Sequence, residues 1–219
     1  MQENEIQDVI CEGLWFKDGS VVIAASVDTS RHLFKVHTSV LSTHSHVFRD
    51  LFTLPQPLAG CQTEDMDTYD GLPLVIFPDA PDDIRDLLVA LYYPMNLVCR
   101  RNRRSTFKKV AGVLRLSTKY EIGELWKHVK GVLDADWPSN FEAWEANELA
   151  ISDRVNTSSS PYIIAAKPPH SAEIIQLAND CHITSILPAA YYNIARNAPS
   201  EYTPFELRDL TFRDTISGH

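Results

Sequence analysis

Between His32 and Phe52 the apolar period of the chain changes, and this change constrains the fold more than any other feature. HLFKVH (32 to 37) begins its apolar stretch at Leu33 and Phe34, and Phe34 and Val36 alternate with Lys35, as in a strand with one buried face. Val40, Leu41 and His44 then fall at helical spacing, and Val47, Phe48, Leu51 and Phe52 follow at i, i+1, i+4 and i+5. A strand therefore runs straight into two short helices. DGSVVIAAS (18 to 26) supplies a preceding strand behind a turn-forming Asp-Gly, and the polar link VDTSR makes the two a hairpin.

Beyond the helical pair, residues 55 to 71 break the pattern with prolines, glycines and acids and read as an exposed loop. PLVIFPD (73 to 79) reads as a third, buried strand with a proline near each end. Pro81-Asp82-Asp83 opens a helix, with carboxylates at the positive end of its dipole, and Ile84, Leu87, Leu88 and Leu91 give the apolar stripe. Two more amphipathic helices follow, one carrying Phe107, Val110 and Leu114, the other Ile122, Leu125, Trp126, Val129 and Leu133. Residues 138 to 151 read as a helix capped by Ser139, 152 to 170 as a loop, and 171 to 196 as a helical hairpin.

Composition narrows the function. The 219 residues are 44% hydrophobic and 22% charged, the balance of a globular protein, and a chain of this length buries roughly 70% of its unfolded surface. A formal net charge of −9 argues against direct nucleic-acid binding, which needs clustered Lys and Arg. The basic run Arg100, Arg101, Arg103, Arg104, Lys108 and Lys109 is read either as a localisation or docking element or as a solvated loop. Cys11, Cys61, Cys99 and Cys181 form no CxxC pair and read as reduced thiols of an intracellular protein, cytoplasmic or nuclear. No apolar run approaches the ~20 residues of a membrane span.

The polar residues of FKVHTSVLSTHSHVFRDLF invite two chemical readings. Serine nucleophiles need a base and an oxyanion hole, and the chain has no GxSxG, phosphate-binding loop or HExxH, so no catalytic residue is expected. His32, His37, His44 and His46 suggest a metal, yet His37 and His44 lie seven residues apart, about 10 Å along a helix, too far to chelate one ion readily. No metal, cofactor or small-molecule substrate is expected. Short-helix serines more simply cap ends or bond nearby carbonyls.

The order of two hairpin strands, two helices, a third strand and three helices resembles that of the BTB/POZ domain. VHTSVLSTHSHVFRDLF is similar to the family's VH-x-x-VL-x-x-x-S-x-x-F-x-x-x-F signature, ALYYP (90 to 94) to its motif after the third helix, and STKYEIGEL (117 to 125) to its A-x-K-Y-x-x-x-x-L segment. ILPAAYYNIAR (186 to 196) and LFTLPQP (51 to 57) resemble a fungal, basidiomycete-like set with a helical region after the domain. The resemblance implies an α+β fold, a small three-stranded sheet flanked by short helices, followed by an all-α extension. It divides the chain into a tail at 1–12, the BTB/POZ domain at 13–136 and a helical extension at 137–219, with a loop at 152–170 and a poorly ordered end.

The resemblance also implies a non-enzymatic protein-interaction module that homo-oligomerises, pairs with another BTB protein, or acts as a ubiquitin-ligase adaptor on a cullin scaffold. His37, Phe48, Phe52 and Tyr120 match its structural signature. Leu14, Trp15, Phe16, Val40, Leu41 and Thr43 are the dimer-interface candidates, although Trp15 and Phe16 could equally cover the domain's own core. Leu54, Gln56, Leu58, Tyr92 and Tyr120 are the cullin or partner-surface candidates. Two departures matter. TLPQPL (53 to 58) lacks the apolar-x-Glu pattern of cullin binders, and Ser20 and Thr38 stand where corepressor binders carry an Asp and an Arg. A transcription-related or decoy dimeriser without a ligase role is the alternative.

Overall fold

A computed structural model of the chain describes residues 6–53, 68–96, 104–157 and 169–196. It divides into two compact units, Met1–Val98 with Lys109–Lys127 and Cys99–Lys108 with His128–His219.

The first unit is built on a five-stranded sheet in the order β1-β3-β2-β5-β4. Strands β2 (Val21–Val27) and β3 (Ser30–Val36) form the expected hairpin, in register from Val21 opposite Val36 to Val27 opposite Ser30. Its two-residue turn puts Asp28 at φ 51°, a left-handed conformation that aspartate tolerates because its side chain can bond locally. Helices α1 (Thr38–His44) and α2 (His46–Thr53) follow, and β5 (Leu72–Phe77) then lies parallel to β2.

The sheet holds two strands beyond the three anticipated. Residues 7–12, read as tail, begin β1 (Gln7–Trp15), which runs parallel to β3. Residues 68 and 69, read as loop, form β4 (Thr68–Tyr69) antiparallel to β5. Asp70 and Gly71 make the turn between them at φ 55° and 73°, the pair of positive angles that a tight hairpin turn requires and that Asp-Gly supplies.

One face of the sheet carries Ile23, Ala25, Phe34, Val36 and Phe77 into a core with Leu14, Leu41, Phe48, Ile84, Leu87 and Ile122. Helix α3 (Pro81–Tyr92) contributes its predicted stripe, with proline in its first turn and Asp82 and Asp83 at its positive end. Helices α4 (Arg104–Lys119) and α5 (Gly123–Asp136) follow. The turn joining them is closed by Ile122 N–H donating to Ser117 O at 2.9 Å, with Glu121 at φ 52°. That places a left-handed residue where a helix C-terminus commonly uses glycine.

The second unit contains α6 (Phe141–Thr157), α7 (Ser171–Asp180) and α8 (Leu187–Arg196). Asn140 rather than Ser139 caps α6: its Oδ1 accepts from Ala143 N–H at 2.8 Å, because it sits at the last non-helical position. Residues 152–157, read as loop, continue this helix; SDRVNT contains neither glycine nor proline to end it. Residues 158–168 and the C-terminal 197–219 lie outside the described residues. Helices α7 and α8 pack as the anticipated hairpin, α7 opening on a reciprocal capping box between His170 and Glu173. Ser185 Oγ donates to Asp134 Oδ1 at 2.6 Å, and Asn147 Nδ2 to Ala135 O at 2.8 Å. Among the described residues no helix is long and apolar enough to cross a membrane.

Candidate functional site

His37 sits where β3 ends and α1 begins, at an extended residue preceding the first helical turn. Its backbone N–H donates to Tyr92 Oη at 2.8 Å and its Nδ1 lies 3.1 Å from the same oxygen. Since the phenol oxygen already accepts from the backbone, its own hydrogen is free to point at Nδ1, which leaves Nε2–H for Asp18 Oδ1 at 3.3 Å. Phe16 closes the cluster, stacked on Tyr92 at 4.7 Å and tilted on His37 at 5.1 Å. Burial pushes the Tyr92 hydroxyl pKa up, while Asp18 is held below the usual carboxylate range first by its own backbone N–H and then by His37. These contacts tie the start of α1 to the end of α3. They give His37 no open ligand position facing a second histidine.

The other histidines stay apart. His32 lies on β3, His44 and His46 are exposed at the ends of α1 and α2, and Arg49 is the neighbour of His46 at 3.4 Å. Among the described residues no group of three or more His, Cys, Asp or Glu side chains is arranged to hold a metal ion.

A second cluster centres on buried Ser45, between α1 and α2. Its Oγ donates to Tyr120 O at 2.5 Å and accepts from Phe48 N–H at 3.0 Å, so one hydroxyl caps α2 and anchors the end of α4. Phe48 stacks on Tyr120 at 4.7 Å, on Phe77 at 5.7 Å and on Phe52 at 6.3 Å. The Tyr120 hydroxyl donates to Asp79, which also holds Lys119 at 2.6 Å; burial, and then this carboxylate, push the Tyr120 hydroxyl pKa far up. Tyr120 is thus a buried element of the scaffold, whereas Tyr92 is half-buried. Leu54, Gln56 and Leu58 lie outside the described residues.

The interface candidates separate by depth. Leu14 and Leu41 are fully buried within the chain's own core. Val40 is half-buried and Thr43 exposed. Trp15 is half-buried, edge-on to Tyr69 at 6.1 Å with Lys35 5.8 Å from its ring, and Phe16 belongs to the His37 cluster.

Sequence reasoning did not single out the edge formed by β1. Arg31 grips Asp8 through two bonds of 2.7 and 2.9 Å, a bidentate clamp from β3 that lowers the Asp8 pKa. Gln7 N–H donates to Thr29 O, so by the alternation of a parallel ladder the N–H groups of Asp8 and Ile10 face away from β3. Among the described residues no strand meets them there. Ile10, Leu33, Ala24 and Ile76 make one apolar row across four strands, with Ile10 45% and Ile76 59% exposed at its ends. Register slips between Ile10 and Trp15, which breaks the alternation by which a strand is recognised in sequence.

Ser20 and Thr38 meet as a neutral pair: Thr38 N–H donates to Ser20 Oγ at 2.9 Å, and the two hydroxyl oxygens are 3.1 Å apart. After α3 the chain offers an apolar tip, where Met95 is 89% exposed beside exposed Tyr93.

Residues 20–136, more than half of the chain, match the family model described as BTB/POZ domain. No curated protein matches the chain.

Proposed function

Because the chain belongs to the BTB/POZ family, whose domain is a protein-interaction module rather than an enzyme, we propose that it self-associates through the open edge of β1 and offers a separate surface to a partner. The observation that carries this is the β1 edge. An unpaired row of outward N–H and C=O groups beside an exposed apolar side chain is a template for another strand. The partner is a second copy of this chain or another BTB protein. A stable dimer buries about 800 Å² on each side, more than one strand edge supplies, so further surface of the domain joins the contact.

The edge makes a specific test possible. Ile10→Pro removes an N–H that points away from β3, so it spares the β1–β3 ladder while blocking a strand added outside it. Light scattering of the variant should give the mass of one chain with an unchanged circular dichroism spectrum, against twice that mass for the wild type. A variant still dimeric would remove β1 from the interface.

A cullin scaffold is the second reading, and the Tyr93–Met95 tip favours it by supplying exposed apolar area beside Tyr92. The ligase adaptor reading rests on that surface despite Gln56 and Pro57 in the sequence. The neutral Ser20–Thr38 pair speaks against a charged corepressor pocket, since neither residue can make an ion pair there. Without a cullin contact, the protein would act as a dimerising partner or decoy for other BTB proteins.

A further inference from the structure

The helical second unit carries a groove that the self-association reading does not use. It has a volume of about 170 Å³ and lies between the start of α6 and the start of α8, walled by Pro138, Phe141, Trp144, Pro188 and Tyr192. A space of this size takes one ring or branched side chain; sites for whole small molecules run to about 300–1,000 Å³. The walls are mostly aromatic and proline rings. Phe141 stacks on Trp144 at 5.8 Å, Tyr192 stands edge-on to it at 4.8 Å, and Phe141 is 66% exposed.

Charge selects the occupant. Glu142 and Glu145 are exposed on the same two turns of α6, Glu145 four residues from Phe141, and neither has an ion-pair partner among the described residues. The nearby cation, Arg196, is already engaged by Glu148 at 2.7 Å and lies 5.0 Å from the centre of the Trp144 ring. That occupancy argues against a methylammonium cage, which needs the ring faces free for the ligand cation.

We propose that this groove binds an extended, proline-bearing segment of a partner protein that carries Lys or Arg beside its proline. A proline segment is pre-formed as a polyproline helix, so little ordering is needed to lay its rings on Phe141 and Tyr192. Its basic residue meets Glu142 and Glu145.

The test is a fluorescence-anisotropy titration of the full chain with a fluorescein-labelled synthetic peptide of six prolines followed by two arginines. Saturable binding is expected, weakened about tenfold by Phe141→Ala. Glu142→Gln with Glu145→Gln should weaken it several-fold and flatten its salt dependence. Both positions are exposed, so the variants keep the wild-type circular dichroism spectrum. Absence of saturable binding overturns the proposal, as does equal binding of a peptide with glycines in place of the prolines, or indifference to Phe141→Ala. Binding that emerges only after residues 197–219 are removed would assign the groove to the chain's own segment. A halved mass of Phe141→Ala in light scattering would assign it to a second copy, and either result overturns the proposal.

Discussion

Replacing Leu41 with Asp yields aggregated protein rather than a soluble monomer. Leu41 is fully buried within the first unit, in the same core as Phe34, Val36, Phe48 and Ile84. An unpaired carboxylate at such a site costs several kcal/mol, or takes up a proton and still lacks partners for its oxygens. Whole domains are stable by only about 5–15 kcal/mol, so the variant loses most or all of its folded population. Size-exclusion chromatography and circular dichroism of the expressed variant decide the matter. A folded, soluble monomer would instead place Leu41 at a contact between copies, and would contradict its position in the core.

Phe48→Ala is the second large effect. Phe48 sits between Tyr120, Phe77 and Phe52 and is fully buried, so truncation removes its apolar surface from the core and leaves a cavity among three rings. The expected cost is about 3–5 kcal/mol, which for a chain of this size lowers Tm by roughly 6–20 °C. Phe52→Ala, at a half-buried residue, should cost clearly less. Equal and small shifts for both in thermal denaturation would show that the stack does not hold α2 to the sheet and α4.

Much of this was legible in the sequence, and the reasons differ by element. The switch of period after Val36 marks the β3–α1–α2 succession because the buried faces of a strand and a helix repeat at different intervals. Pro81 and the following acids mark α3 for a similarly local reason. The match of VHTSVLSTHSHVFRDLF and STKYEIGEL to a known pattern brings out His37, Ser45, Phe48 and Tyr120, which the fold gathers into two clusters.

What escaped was set by long-range pairing or by turn chemistry. β1 is recognised only through its ladder with β3, and its slipped register leaves no regular alternation to read. β4 is two residues long, too short for periodicity, although Asp70-Gly71 is a hairpin signal that could have revealed it. Leu14 and Leu41 illustrate the limit of periodicity itself: spacing shows that a side chain is on the apolar face, while only the packed structure shows that its own chain covers it. The groove at Phe141 and Trp144 lies beyond sequence reasoning as well, since Pro188 and Tyr192 come from α8.

The central claim is that β1 presents an open edge to a second strand, and amide hydrogen exchange of the wild-type chain at low and high concentration tests it most directly. The amides of Asp8 and Ile10, facing away from β3, should exchange freely when dilute and become protected as concentration rises, while Gln7 and Val9 stay protected throughout. Unchanged exchange at Asp8 and Ile10 over a concentration range in which light scattering shows the mass doubling would contradict the account, and would move the self-association surface elsewhere on the domain.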